Sequence, residues 1–105
     1  MKRTSNVVYR ESDEARELYL YAINTSECYQ QIIQPVLVNL KKKVAKGVYD
    51  ADKAVDLYYY AATRCAKEYE REYGSEAWYG IMFSVTDRFT CAVDLEQYFR
   101  EDLGL

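Results

Sequence analysis

Lys41-Lys42-Lys43-Val44-Ala45-Lys46-Gly47-Val48-Tyr49-Asp50-Ala51-Asp52-Lys53-Ala54-Val55 ends one helix and begins another. Gly47 suits the left-handed position just past a helix C-terminus, where a side chain would clash. Asp50 is a strong N-cap residue, since its carboxylate can accept from the first free N–H groups of a helix. Tyr49 before the cap and Ala54 after it are placed for a hydrophobic staple. A stop and a start three residues apart predict two helices folded back on each other.

The pattern continues in both directions. Upstream, Tyr29, Ile32, Ile33, Val36, Leu37, Leu40 and Val44 recur at helical intervals. Pro35 lies inside this stripe and removes one backbone donor, so the helix is either kinked there or split into 25–33 and 35–46. Asn24 with Glu27 forms a capping-box pattern at its start. Downstream, a helix over 51–73 would bury Ala51, Val55, Tyr58, Ala62, Cys65 and Tyr69, and Gly74 would end it. Ser75 could cap a short turn running through Trp78 to Met82. Ser84 and Asp87 form another box, opening a last helix to about 102 that buries Val85, Phe89, Ala92, Leu95 and Phe99.

Residues 12–23 are the ambiguous element. Ser12 could cap a helix, with Asp13 and Glu14 at its positive end. Leu18-Tyr19-Leu20-Tyr21-Ala22 also reads as an alternating strand. Residues 1–11 read as a loose arm. The expected architecture is all-α: a single domain over 12–105, built as a compact bundle of four to five helices with short connections.

Composition narrows the chemistry. The 105 residues include twelve tyrosines and no histidine. Tyrosine buries a ring while keeping a wet hydroxyl, which favours interfaces. Histidine is the usual general base and the commonest metal ligand. Neither a nucleophile elbow nor a phosphate-binding loop occurs. The i,i+4 carboxylate pairs, Asp52 with Asp56 and Glu68 with Glu72, sit on exposed faces. No catalytic residue, cofactor or metal site is therefore expected, and an enzyme is not. Seventeen acids against fourteen bases give a formal charge of −3, which offers no general attraction to nucleic acid. Cys28, Cys65 and Cys91 are odd in number and lie on apolar helix faces, which reads as reduced core thiols in a cytoplasm. The opening Met-Lys-Arg-Thr-Ser-Asn leads into no apolar signal-peptide core, and no stretch reaches the ~18 apolar residues of a membrane span.

Three surface features carry the functional reading. Tyr58-Tyr59-Tyr60 turns by about 100° per residue, so the three rings cannot share one core. Tyr59 and Tyr60, with Arg64 four residues beyond Tyr60 and Trp78 further on, form a candidate contact patch. The alternative is that Tyr60 lies flat on Arg64. Glu101 and Asp102 sit at the negative end of the last helix, with Asp94 and Glu96 upstream. They read either as a frayed tail or as an acidic patch that meets a basic partner surface. Lys41, Lys42, Lys43 and Lys46 form the one basic cluster. They could hold phosphates, although cations at a helix C-terminus also complement its dipole.

The stretch Pro35-Val36-Leu37-Val38-Asn39-Leu40-Lys41-Lys42-Lys43-Val44-Ala45-Lys46-Gly47, followed by Val48-Tyr49-Asp50-Ala51-Asp52-Lys53-Ala54-Val55-Asp56-Leu57, resembles a family of small uncharacterised bacteriophage and prophage proteins. A proline, an Asn-Leu pair, lysines, Lys-Gly-x-Tyr-Asp and Lys-Ala-Val recur there in this order. The likeness extends over about 18–100 and is strongest in 35–74. It implies a phage origin and assigns no chemistry. The tyrosine triplet departs from the family pattern.

By analogy with small phage proteins that cover host surfaces, anti-CRISPR proteins among them, the leading expectation is a non-catalytic inhibitor. It would bind a host protein in the bacterial cytoplasm, such as a CRISPR nuclease or another nucleic-acid-processing enzyme. A nucleic-acid-binding accessory using the lysine cluster and a homo-oligomeric structural phage protein, dimeric through its tyrosines, stand as alternatives.

Overall fold

The computed structural model describes residues 13–74 and 83–105. Within them the chain forms α1 (Asp13–Asn24), α2 (Ser26–Cys28), a π-helical turn (Tyr29–Ile33), α3 (Gln34–Ala45), α4 (Ala51–Tyr73) and α5 (Val85–Phe99). No strand occurs among the described residues. The arm over 1–11, the Ser12 cap and the turn from Ser75 to Met82 lie outside them.

Residues 13–24 are helical because that geometry buries Ala15, Leu18, Tyr21 and Ala22 on one side. A strand would have placed Leu18 and Leu20 on the same face. Here Leu18 is sealed in the core while Leu20 stays at the surface. The capping box expected at Asn24 does not form. Asn24 is the last residue of α1, and Thr25 takes the extended cap conformation without a side-chain bond. Thr25 N–H closes α1 on the Tyr21 carbonyl, and the Thr25 carbonyl accepts from Tyr29 N–H to open the next helix, so Thr25 and not Asn24 holds the cap position.

Pro35 does not split the helix. Backbone angles remain right-handed helical from Cys28 through Gln34. The hydrogen bonding widens instead, so that Gln34 N–H reaches the Tyr29 carbonyl five residues back. Proline lacks an N–H and its ring crowds the carbonyl four residues earlier. A π turn just before it moves that carbonyl aside, and Pro35 then enters α3 in its first turn, where its missing donor matters least.

At the 46–50 link, Gly47 adopts φ +75°. Gly47 N–H bonds the Val44 carbonyl and Val48 N–H bonds the Lys43 carbonyl, the paired contacts of a Schellman motif. The Asp50 side chain accepts from the N–H groups of Asp52 and Lys53, starting α4. The Ser84–Asp87 box is complete in both directions at the start of α5.

The core draws on every helix. Leu18, Ile33, Leu40, Tyr58, Leu95 and Phe99 are among its largest sealed side chains. Helices α4 and α5 run antiparallel, since Tyr58 meets Phe99 near one end and Tyr69 meets Phe83 near the other. Small residues Ala54, Ala61, Ala62 and Ala92 line the buried faces of this pair and keep the axes close. The three cysteines, distant in sequence, gather in this interior as free thiols. Burial pushes Cys28 and Cys65 above the ordinary thiol range, and the two share a hydrogen bond.

Two expectations for α5 fail. Val85 and Phe89 are exposed rather than buried. Cys91 points inward, and a residue two positions away on a helix faces about 160° from it, so Phe89 turns outward. Glu96 is not part of a solvated acidic row. It is buried, accepting from Tyr49 Oη at 2.8 Å and Arg100 Nε at 2.8 Å. Nor is the C-terminus frayed. Leu103 packs into the core, and Gly104 at φ +84° closes a second Schellman motif through Leu105 N–H to the Arg100 carbonyl.

Tyr58 is completely buried, yet its hydroxyl has no hydrogen-bond partner. An unsatisfied buried hydroxyl is a cost that phenylalanine would remove without changing the packing. Tyr58→Phe is expected to raise stability by about 1 kcal/mol, read from the urea midpoint at unchanged slope. A loss of stability of similar size would show that the hydroxyl is satisfied.

Candidate partner-binding surface

The tyrosine triplet spreads around α4. Tyr58 enters the core, Tyr59 lies half-buried against it, and Tyr60 is 68% exposed. The Tyr59 and Tyr60 rings meet edge to face at 6.1 Å. The stacking cation is not Arg64 on Tyr60 but Arg88 on Tyr59, at 5.5 Å from the ring centroid. Local sequence at α5 explains the placement of Arg88. The Ser84 cap fixes the first turn, and Arg88 Nε donates to the Ser84 carbonyl while its terminal nitrogen reaches Thr63 Oγ1. Arg88 thus ties α5 to α4 and lies over Tyr59, while Tyr60, about 160° from Tyr58 around α4, projects outward.

Exposed Val85 and Phe89 flank Arg88 on α5. The sequence pattern missed them as surface groups because an apolar i,i+4 pair at a helix start looks like core. Arg64 is exposed on α4 and lines a cleft against the π turn. Trp78 lies outside the described residues.

Glu101 and Asp102 are exposed in the turn that follows α5. Lys41, Lys42, Lys43 and Lys46 are exposed at the end of α3. Lys41 and Asp102 line one cleft together with Tyr29, Gln34, Val38 and Leu103. The acidic and basic groups therefore adjoin, and their fields offset each other at that edge. Lys43 lines a separate hollow that also holds Asp50, Lys53 and Asp56.

Much of the tyrosine excess serves the fold. Tyr21 donates to Glu72 at 2.7 Å and Tyr69 to Glu17 at 3.1 Å, two bonds that join α1 to α4. Tyr21, Tyr69 and Tyr73 pack as a cluster of rings, and Phe83 closes over Tyr69. Tyr60, Tyr73 and Tyr98 remain about half exposed or more.

Among the described residues no group of histidine, cysteine or carboxylate side chains is arranged to hold a metal ion. No described helix is long and apolar enough to cross a membrane. No protein-family model, curated protein or solved structure matches the chain.

Proposed function

We propose that this chain is a phage-encoded, non-catalytic inhibitor that binds a host defence protein and blocks it by covering its surface. The observation that carries the reading is the Tyr60 ring, 68% exposed on α4 and in edge-to-face contact with Tyr59 at 6.1 Å. An exposed aromatic on a helix offers a large contact area with few side-chain torsions to order, which is the usual character of an interface hot spot. Exposed Phe89 and Val85 on α5 add apolar surface. The resemblance of 35–74 to small phage proteins supplies the biological setting, and a nucleic-acid-processing nuclease of the CRISPR type in the bacterial cytoplasm is the target class proposed.

Affinity capture from infected cells, followed by mass spectrometry, would identify the target. Plaque assays on hosts carrying single defence systems would then read inhibition. Tyr60→Ala is expected to weaken target binding by about 1–2 kcal/mol, roughly ten-fold, while leaving the melting temperature unchanged. Full protection of phage by the alanine variant would remove Tyr60 from the interface. Rescue of phage growth in no defence background would remove the inhibitor reading.

A further inference from the structure

A cleft of about 470 Å³ lies between α4 and the turn that follows α2. Arg64, Lys67 and Arg71 line one wall at i, i+3 and i+7, and Glu68 stands among them. Glu27 and Gln31 line the other wall, and the nearly buried Ile32 lies between. Arg71 is held by Glu68 at 2.7 Å. Arg64 and Lys67 form no ion pair among the described residues. Two cations without a direct ion pair thus line an open polar cleft, with Gln31 and the single carboxylate of Glu27 on the other wall. Gln31 and Ile32 reach this cleft from the π turn, which faces α4 here.

The geometry points to this cleft as a docking site for an acidic side chain of a protein partner, with Arg64 and Lys67 clasping the carboxylate and Gln31 donating from the far wall. Charge selects the ligand. Three cations against Glu27 and Glu68 leave the cleft with one net positive charge. One carboxylate neutralises it. A phosphate dianion would leave an excess negative charge facing two carboxylates. Guanidinium matches carboxylate geometry with paired bonds, which favours Arg64 as the main anchor. This site stands apart from the Tyr60 reading and needs neither a phage origin nor inhibition to exist.

The test is an NMR titration of the isotope-labelled full chain with an end-capped peptide of alternating Asp and Glu. Saturable shifts are expected at Gln31, Ile32, Arg64 and Lys67. Arg64→Gln and Lys67→Gln, both at exposed positions, should each weaken the fitted affinity by about two- to five-fold. Glu27→Gln should strengthen it, because a competing carboxylate is gone, and added salt should weaken it throughout. Far-UV circular dichroism of each variant separates lost binding from lost fold. The proposal is overturned by shifts that fall equally on Lys41 to Lys46, which would mean diffuse attraction. Saturation of the same amides by inorganic phosphate at lower concentration would also overturn it, by making the cleft a phosphate site. So would the absence of any shift. Each of these outcomes leaves Tyr60 untouched.

Discussion

Phe99→Ala is expected to destabilise the protein by about 3–5 kcal/mol, the range for removing a sealed aromatic side chain from a core. Phe99 is only 2% exposed and stands where three other rings converge. Tyr58 stacks on it at 6.4 Å, Tyr29 tilts against it at 6.3 Å, and Tyr98 meets it edge-on at 4.8 Å. At this end of the bundle α4, α5 and the π turn all meet at this ring. The void cannot close easily, because the neighbouring rings are stiff and three helices would have to shift together. A domain of this size holds about 5–15 kcal/mol in all, so the variant should be partly unfolded near body temperature. Urea denaturation followed by circular dichroism reads the effect. Phe99→Leu should cost markedly less, since it keeps most of the volume. A midpoint for Phe99→Ala close to that of the parent chain would mean that the α4–α5 contact does not depend on this ring.

The elements legible in the sequence were those whose ends are written in local chemistry. Asp50 and Gly74 bracket α4 because one satisfies free N–H groups and the other takes a positive φ of 75°. Ser84 with Asp87 marks the start of α5 for the same local reason. The π turn at Tyr29–Ile33 was not legible. Pro35 announces a missing donor, but how the carbonyls before it regroup depends on what packs around them. Glu96 was not legible either. Its position near a helix end looks solvated until Tyr49, 47 residues away, arrives to donate.

The candidate surface divides along the same line. A 100° step between neighbours already separates Tyr58 from Tyr59 and Tyr60. Tyr60 lies about 160° from the buried Tyr58 and projects by position alone, while the cover that Arg88 gives Tyr59 comes from another helix. The cation row at Arg64, Lys67 and Arg71 is visible as helical spacing, but only the fold supplies Gln31 and Glu27 opposite it. The lysine run looked isolated in sequence, whereas the closing turn after α5 brings Asp102 to its edge.

Alkaline unfolding between pH 10 and 12 is the other large effect expected, and it follows from the tyrosines that hold the helices together. Burial, reinforced by the hydrogen bond to Glu96, pushes Tyr49 from 10.0 up to about 12. Burial, with the bond to Glu17, pushes Tyr69 from 10.0 up to about 12. Burial lifts Tyr21 and Tyr58 above the ordinary range as well. In the unfolded chain these hydroxyls ionise near their ordinary value of about 10. Above it the unfolded state has released protons that the folded state still holds. The unfolded state then binds fewer protons, so stability falls as pH rises. The tyrosine contribution is complete below pH 10 and is lost as pH climbs through the folded values near 12. Each unit of separation corresponds to about 1.4 kcal/mol before solvent screening is allowed for, and several groups act in the same direction. Helical signal and tyrosinate absorbance, followed together, should change in one cooperative step within this window. Tyr49→Phe should lower stability at neutral pH and flatten its fall between pH 10 and 12, because the bond to Glu96 and one of the coupled ionisations are both gone. Tyrosines that ionise while the helical signal stays intact would show that these hydroxyls are open to water, and that the Tyr–Glu bonds do not hold the bundle.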